Sequence, residues 1–364
     1  MEDNTRNTHK GFKIFIIILI MGTLFFLNEG NRDKLLQTFK TFSIKDKTLE
    51  SVNNISLNGE LEDFHLYDNT LVKYDNGKLS FLKFDGTLLF EKDFNFTSPK
   101  IYFGEKTIYI SDKISGDIYF LNKKGETVNR INISEGLYEE LFSLRECENS
   151  LISHIKTSDM ESIKILDSEG NLIKNHIVEG ENILTFVVNV NNSKYILSSL
   201  NLEEGLTSLT KVYNIEGEEL SSVEFQNEIV LFNDFIDEKL IVLTDKSLYY
   251  IMNGKTQWKR EFPKPKDISI EKDKINILYD NYLEIINVDG RTEDKSVFTR
   301  DYNKMLSFDK SLLIYGENDI SIIRDKREIL RFNSEKRIIK VSGDEGTIAI
   351  YYPDSIEIYE VINK

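Results

Sequence analysis

The sequence predicts an all-β chain folded as an eight-bladed β-propeller, with seven blades as the alternative, preceded by one N-terminal transmembrane helix. Three observations lead there. Glycine-centred turns recur at Gly86, Gly125, Gly170, Gly217, Gly254 and Gly290, at spacings of 39, 45, 47, 37 and 36 residues. A seventh turn, without glycine, falls one more period on, at Asp325-Lys326-Arg327. A second series of acidic or amide-rich turns interleaves with the first: Asp68-Asn69, Glu105-Lys106, Glu148-Asn149, Asn191-Asn192, Asp237-Glu238, Lys272-Asp273, Asp309-Lys310 and Asp344-Glu345. Such residues tolerate left-handed backbone or hydrogen-bond their own backbone. Between the turns lie alternating strands such as Asp117-Ile118-Tyr119-Phe120-Leu121, while alanine, the best helix former, occurs once, at Ala349. Self-similarity of this period, all of it strand-like, is the signature of one four-stranded blade per repeat.

The chain divides into a short cytoplasmic tail (1–11), an anchor (12–28), a linker (29–47) and the propeller (48–364). Ile14 to Leu27 is apolar and uncharged, and Phe12 extends it if Lys13 snorkels towards headgroups. About sixteen residues at ~1.5 Å rise give ~24 Å, a little short of a ~30 Å hydrocarbon core, so a cleaved signal peptide competes. Leu24 to Gly30 holds no small-x-small cleavage site, and no cysteine follows the run to make a lipoprotein, which favours an uncleaved single-span anchor. Arg6, Lys10 and Lys13 precede the span and Asn28-Glu29-Gly30 follow it. The expected topology is therefore N-terminus inside, with the propeller outside the cytoplasm at the cell membrane.

Within each repeat the strands are named a to d from the axis outwards; the acidic turn joins a to b and the glycine turn joins c to d. The last repeat supplies a (Arg337 to Ser342), b (Thr347 to Tyr352) and c (Ser355 to Val361), but no d. Thr48 to Leu57, just before the first a-strand at Leu61 to Tyr67, is placed to supply it. That closure ties both ends of the domain into one blade and removes an open sheet edge.

Asn253-Gly254-Lys255-Thr256-Gln257-Trp258 resembles the Gly-Lys-x-x-Trp end of the quinoprotein-type (PQQ-like) propeller repeat. The resemblance implies that Trp258 docks one blade on its neighbour. Asp85-Gly86-Thr87-Leu88-Leu89-Phe90 is a weaker echo with Phe90 at the same place, and the other glycine turns carry Asn129, Lys174, Ser221 and Asp294 there. With its anchor, the chain is also similar to membrane-anchored propellers of low-GC Gram-positive bacteria. Both likenesses imply fold and placement rather than chemistry.

Several functions are excluded by composition. A net charge of −15, with no Lys/Arg run, leaves no basic patch for nucleic acid. Cys147 is the sole cysteine, so no internal disulfide, CxxC or cysteine-based zinc site exists. One cysteine and one tryptophan cannot furnish a quinoprotein dehydrogenase centre. Of the histidines, His9 precedes the span, His65 lies on the first a-strand, His154 on a b-strand and His176 near a loop, without metal-ligand spacing. No P-loop, nucleophile elbow or Rossmann glycine pattern occurs, so no enzyme activity and no cofactor is expected.

Carboxylates cluster in the two longest repeats, whose extra residues fall in b–c and d–a connections. Both kinds of connection emerge on one face of a propeller. Glu139, Glu140, Asp159, Glu161, Glu179, Glu181, Glu203 and Glu204 are thereby expected to line one acidic rim, a candidate partner surface. The function that fits is a non-catalytic extracytoplasmic scaffold, held to the membrane by its N-terminal helix and binding an envelope protein. A ligand-binding or sensory propeller, taking a glycan, peptide or cation at the channel mouth, is the alternative.

Overall fold

The computed structural model describes residues 46–57, 59, 61–134, 140–147, 150–189, 193–202 and 205–364. The apolar run Ile14 to Leu27 and most of the linker lie outside the described residues. Among the described residues, no helix is long and apolar enough to cross a membrane.

Eight four-stranded antiparallel sheets form the ring, which removes the seven-blade alternative. Blades 1 to 7 are each built from consecutive strands. Blade 8 combines Lys340–Asp344, Thr347–Tyr351 and Ser355–Asn363 with the first strand of the domain, Lys47–Ser56, as its outer member. The register runs antiparallel from Lys47↔Asn363 to Ser56↔Ser355. The expected closure is therefore present, shifted by one residue. The expected a-strand start at Arg337 moves to Lys340. The backbone N–H of Ile338 is taken by the Glu317 carbonyl of blade 7 at 2.6 Å, so this stretch serves as a connection.

Local chemistry explains the turns. In the c–d turns at Asn122, Asp167, Asn214 and Asn287, the side-chain oxygen accepts a backbone N–H four residues on, from Glu126, Asn171, Glu218 and Arg291. The carbonyl of the same residue accepts the N–H of the turn glycine. The a–b turns hold non-glycine residues in the left-handed region, Asp68 and Asn69 or Asp309 and Lys310. Such turns twist with the strands that they join.

The cores lie between adjacent sheets. Ile152, Ile163 and Ile165 of blade 3 pack on Val188, Tyr195 and Leu197 of blade 4, for example. The position taken by Trp258 in blade 5 faces the next blade's glycine turn. The indole Nε1–H donates to the Val288 carbonyl at 2.9 Å, and the ring stacks on Tyr250 at 5.4 Å. Gly290, at φ 79°, brings its α-carbon against that ring; a Cβ there would stand 3.0 Å from it. Phe90 occupies the same place against Gly125, Asn129 donates to the Glu169 carbonyl, and Lys174 to the Glu216 carbonyl. A degenerate motif thus performs one geometric task with different side chains.

Candidate functional site

The b–c and d–a connections share one face, as backbone bonds between them show. Phe94 donates to the Gly77 carbonyl at 2.7 Å, Ile133 to Gly116 at 3.0 Å, and Ser334 to Asn318 at 2.7 Å. This is the loop face. The a–b and c–d turns form the opposite turn face.

The candidate carboxylates do not behave alike. Glu140 opens strand a of blade 3 (Glu140–Cys147) and is exposed, 3.6 Å from the Lys113 ammonium. Asp159, in the b–c turn of blade 3, is exposed, as is Glu179 at the end of that blade's d-strand. Glu181 is half-buried and accepts the Ser199 hydroxyl. Glu139, Glu203 and Glu204 lie outside the described residues.

Glu161 departs from the expected rim. It is only 5% exposed, and Lys156 at 2.6 Å, the Ile183 backbone N–H at 2.8 Å and His154 Nε2 at 2.9 Å surround its carboxylate. Those bonds to the charged form outweigh burial and hold its carboxyl below the usual range. Glu161 therefore straps blade 3 to blade 4. Its neighbours in sequence, Asp159 and Met160, face solvent, and the alternation of a strand turns it inwards.

Sequence reasoning missed the apolar part of the same sector. Ile114 (62% exposed), Leu202 (60%), Leu231 (50%), Phe142 (48%) and Met160 (38%) all stand on the loop face of blades 2 to 5. Two of them are products of β-bulges. The register slips between Leu141 and Ser143 and between Val230 and Phe232, which leaves Phe142 and Leu231 unpaired and turned outwards. No alternation pattern announces such a slip. Phe142 lies edge-on to His154 at 5.0 Å, with the Lys156 and Lys100 ammonium groups 5.9 Å and 6.0 Å from its ring.

In the central channel, charged side chains are used as straps. Asp267 accepts the backbone N–H groups of Ile268 and Met305, at 3.0 and 2.8 Å, and Arg145 donates to the Phe186 carbonyl at 2.9 Å. Burial pushes the Asp234 and Asp267 carboxyls up. His65 packs against Tyr67 and Phe103 and faces the Ser342 hydroxyl at 3.3 Å. Burial first, then the Lys340 and Lys123 charges, lower its pKa to about 4 against the opposing pull of Asp63. Among the described residues, no group of His, Cys, Asp and Glu could hold a metal ion.

The His65 geometry sets a pH dependence. Unfolded, the imidazole takes a proton near its ordinary value of about 6.5, whereas folded it stays neutral until about 4. Between those values the unfolded chain binds more protons, so stability is full above about pH 6.5 and declines as pH falls towards 4. The expected loss is about 2 kcal/mol, discounted for the wet channel. His65→Gln should flatten this part of the stability–pH curve in denaturant titrations. An unchanged slope would remove His65 as its source.

Solved structures share the fold at low identity. BamB from Moraxella catarrhalis is similar at a TM-score of 0.57 and 10% identity, covering 86% of this chain and 100% of its own. The C-terminal WD40 domain of Sif2 gives 0.66 and 12%, covering 88% and 99%. BBS1N, solved in complex with ARL6DN, gives 0.51 and 12%, covering 86% and 97%. No curated protein matches the sequence. At 10–12% identity these likenesses speak for a β-propeller alone. The family model described as "Family of unknown function (DUF5711)" spans residues 38–361, nearly the whole propeller, and the chain belongs to that family.

Proposed function

We propose that the chain is a non-catalytic, membrane-anchored scaffold whose propeller stands outside the cytoplasm and binds another envelope protein through the loop face of blades 2 to 5. One observation carries the reading: exposed apolar side chains and exposed carboxylates occupy the same sector of one face. A protein interface has this anatomy, an apolar centre with a polar rim, and its energy concentrates in a few aromatic anchors. The turn-face ends of the outer strands of blades 1 to 4 also expose apolar side chains, Leu88, Val128, Leu172 and Leu220, but these lie at the outer rim of the ring. BBS1N, of similar fold, was itself solved in complex with ARL6DN. The partner surface would be basic, with apolar side chains to meet Phe142 and Leu202.

The apolar run Ile14 to Leu27 supports the anchor. The outer strand of blade 8 starts on the turn face, where Asp46 and Lys47 share a groove with Arg324 and Asp325 of the blade 7 c–d turn. A tether arriving there leaves the loop face directed away from the membrane. The blade-docking role of Trp258 and its counterparts supports kinship with the PQQ-like repeat.

Crosslinking in intact membranes, followed by identification of what is attached, tests the reading. Phe142→Ala is expected to weaken partner binding by about 2 kcal/mol, roughly thirtyfold. The pair Asp159→Lys and Glu179→Lys should weaken it without moving the melting temperature. Reversal at Glu169 and Glu216, beside turn-face glycines, should change neither. Crosslinks that map to the turn face, or loop-face variants that keep full binding, would sink the proposal.

A further inference from the structure

The geometry points to a second site, a groove on the loop face between blades 7 and 8 that takes a small monocarboxylate with a short aliphatic body. The groove holds about 370 Å³ and is lined by Asn303, Lys304, Tyr315, Glu317, Arg337 and Ile339. That volume sits at the low end of the roughly 300–1,000 Å³ of ligand clefts. In the eight-blade ring this junction lies across from that of blades 3 and 4, so the site is independent of the proposed partner surface.

Its chemistry is set by two cations and one acid. Lys304 is exposed, and its ammonium enters no hydrogen bond or ion pair among the described residues. Asp267, the carboxylate that feels its charge, is already occupied by the N–H groups of Ile268 and Met305. On the facing wall the Arg337 guanidinium gives one nitrogen to Glu317 at 2.9 Å and keeps the rest of its fork. An anion is therefore drawn in, but Glu317 beside it repels a second negative charge, which favours a monocarboxylate over a phosphate dianion. Ile339, 47% exposed, offers an apolar wall for an aliphatic body.

The walls are fixed before any ligand arrives. Asn303 donates its N–H to the Tyr315 carbonyl at 2.9 Å, and Ile338 to the Glu317 carbonyl at 2.6 Å. Gly316 lies so close under the Asp301 carbonyl that no side chain fits there. Little ordering remains for binding to impose.

The test is calorimetric titration of the full chain in detergent micelles with N-acetyl-leucine, hexanoate and the neutral N-acetyl-leucinamide. Both acids should bind saturably, and the amide roughly tenfold or more weakly. Tighter binding of N-acetyl-leucine than of hexanoate assigns the natural ligand to a peptide C-terminus, and the reverse order to a free aliphatic acid. Lys304→Gln should lower acid affinity roughly tenfold and Ile339→Ser several-fold, while the Asp159→Lys and Glu179→Lys pair leaves it unchanged. Absence of saturable binding, equal binding of the amide, or a Lys304→Gln protein that binds as the wild type overturns the proposal.

Discussion

Deletion of the chain from Pro353 onwards is expected to abolish the folded domain. Strand Ser355–Asn363 is hydrogen-bonded on both sides, to Thr347–Tyr351 and to Lys47–Ser56. Removing it frees the outer strand and strips Ile356 and Ile358 from a core that also contains Leu61, Phe64, Leu66 and Ala349. It also removes Tyr359 from the core with Ile348, Ile350 and Tyr352. Two blade junctions open at once, and strand edges that were paired become templates for association. Loss of two fully buried isoleucines and the largely buried Tyr359, at about 2–5 kcal/mol each, is comparable to the whole stability of an ordinary domain, about 5–15 kcal/mol, and the strand's hydrogen bonds to both neighbours are lost with them. Size-exclusion chromatography and limited proteolysis should find aggregate or fragments. A truncated protein that stays monomeric with an unchanged melting curve would show that the ring does not depend on its closure.

The sequence was most legible where one residue type had one physical task. Asn, Asp and Gly at the turns must supply left-handed backbone or cap it, so the turn series followed directly and put eight blades ahead of seven. The missing outer strand was legible by arithmetic, because an unpaired edge needs a partner. Burial of individual polar groups was not. Glu161 looks like Asp159 in sequence, and only the pairing with His154, Lys156 and the Ile183 N–H separates the strap from the solvated carboxylate. The exposed apolar side chains Phe142 and Leu231 stayed hidden because a bulge inverts the alternation that sequence reading relies on. The groove at Lys304 was hidden differently. Its walls come from an inner strand, a b–c turn and a connection whose neighbours are set by tertiary packing.

Trp258→Ala is expected to destabilise the domain by about 2–3 kcal/mol. Full burial of an aromatic would put the cost at about 3–5 kcal/mol, but the indole is only partly buried, which moves it down. What is lost is the stack on Tyr250 within blade 5 and, across the junction with blade 6, the bond to the Val288 carbonyl and the contact with Gly290. Trp258→Phe keeps a ring but no N–H donor, so its cost should be nearer 1 kcal/mol. Gly290→Ala probes the same contact from the other blade. Its Cβ would press on the indole at 3.0 Å, and φ of 79° disfavours any side chain, so it should also destabilise. Once the ring is gone, the steric part of that cost disappears while the backbone part remains. The double variant should therefore be less destabilised than the sum of the singles, by about 0.5 kcal/mol or more. Chemical denaturation of the four proteins measures this coupling. Strict additivity, or less than about 1 kcal/mol for Trp258→Ala, would mean that the ring does not dock the blades.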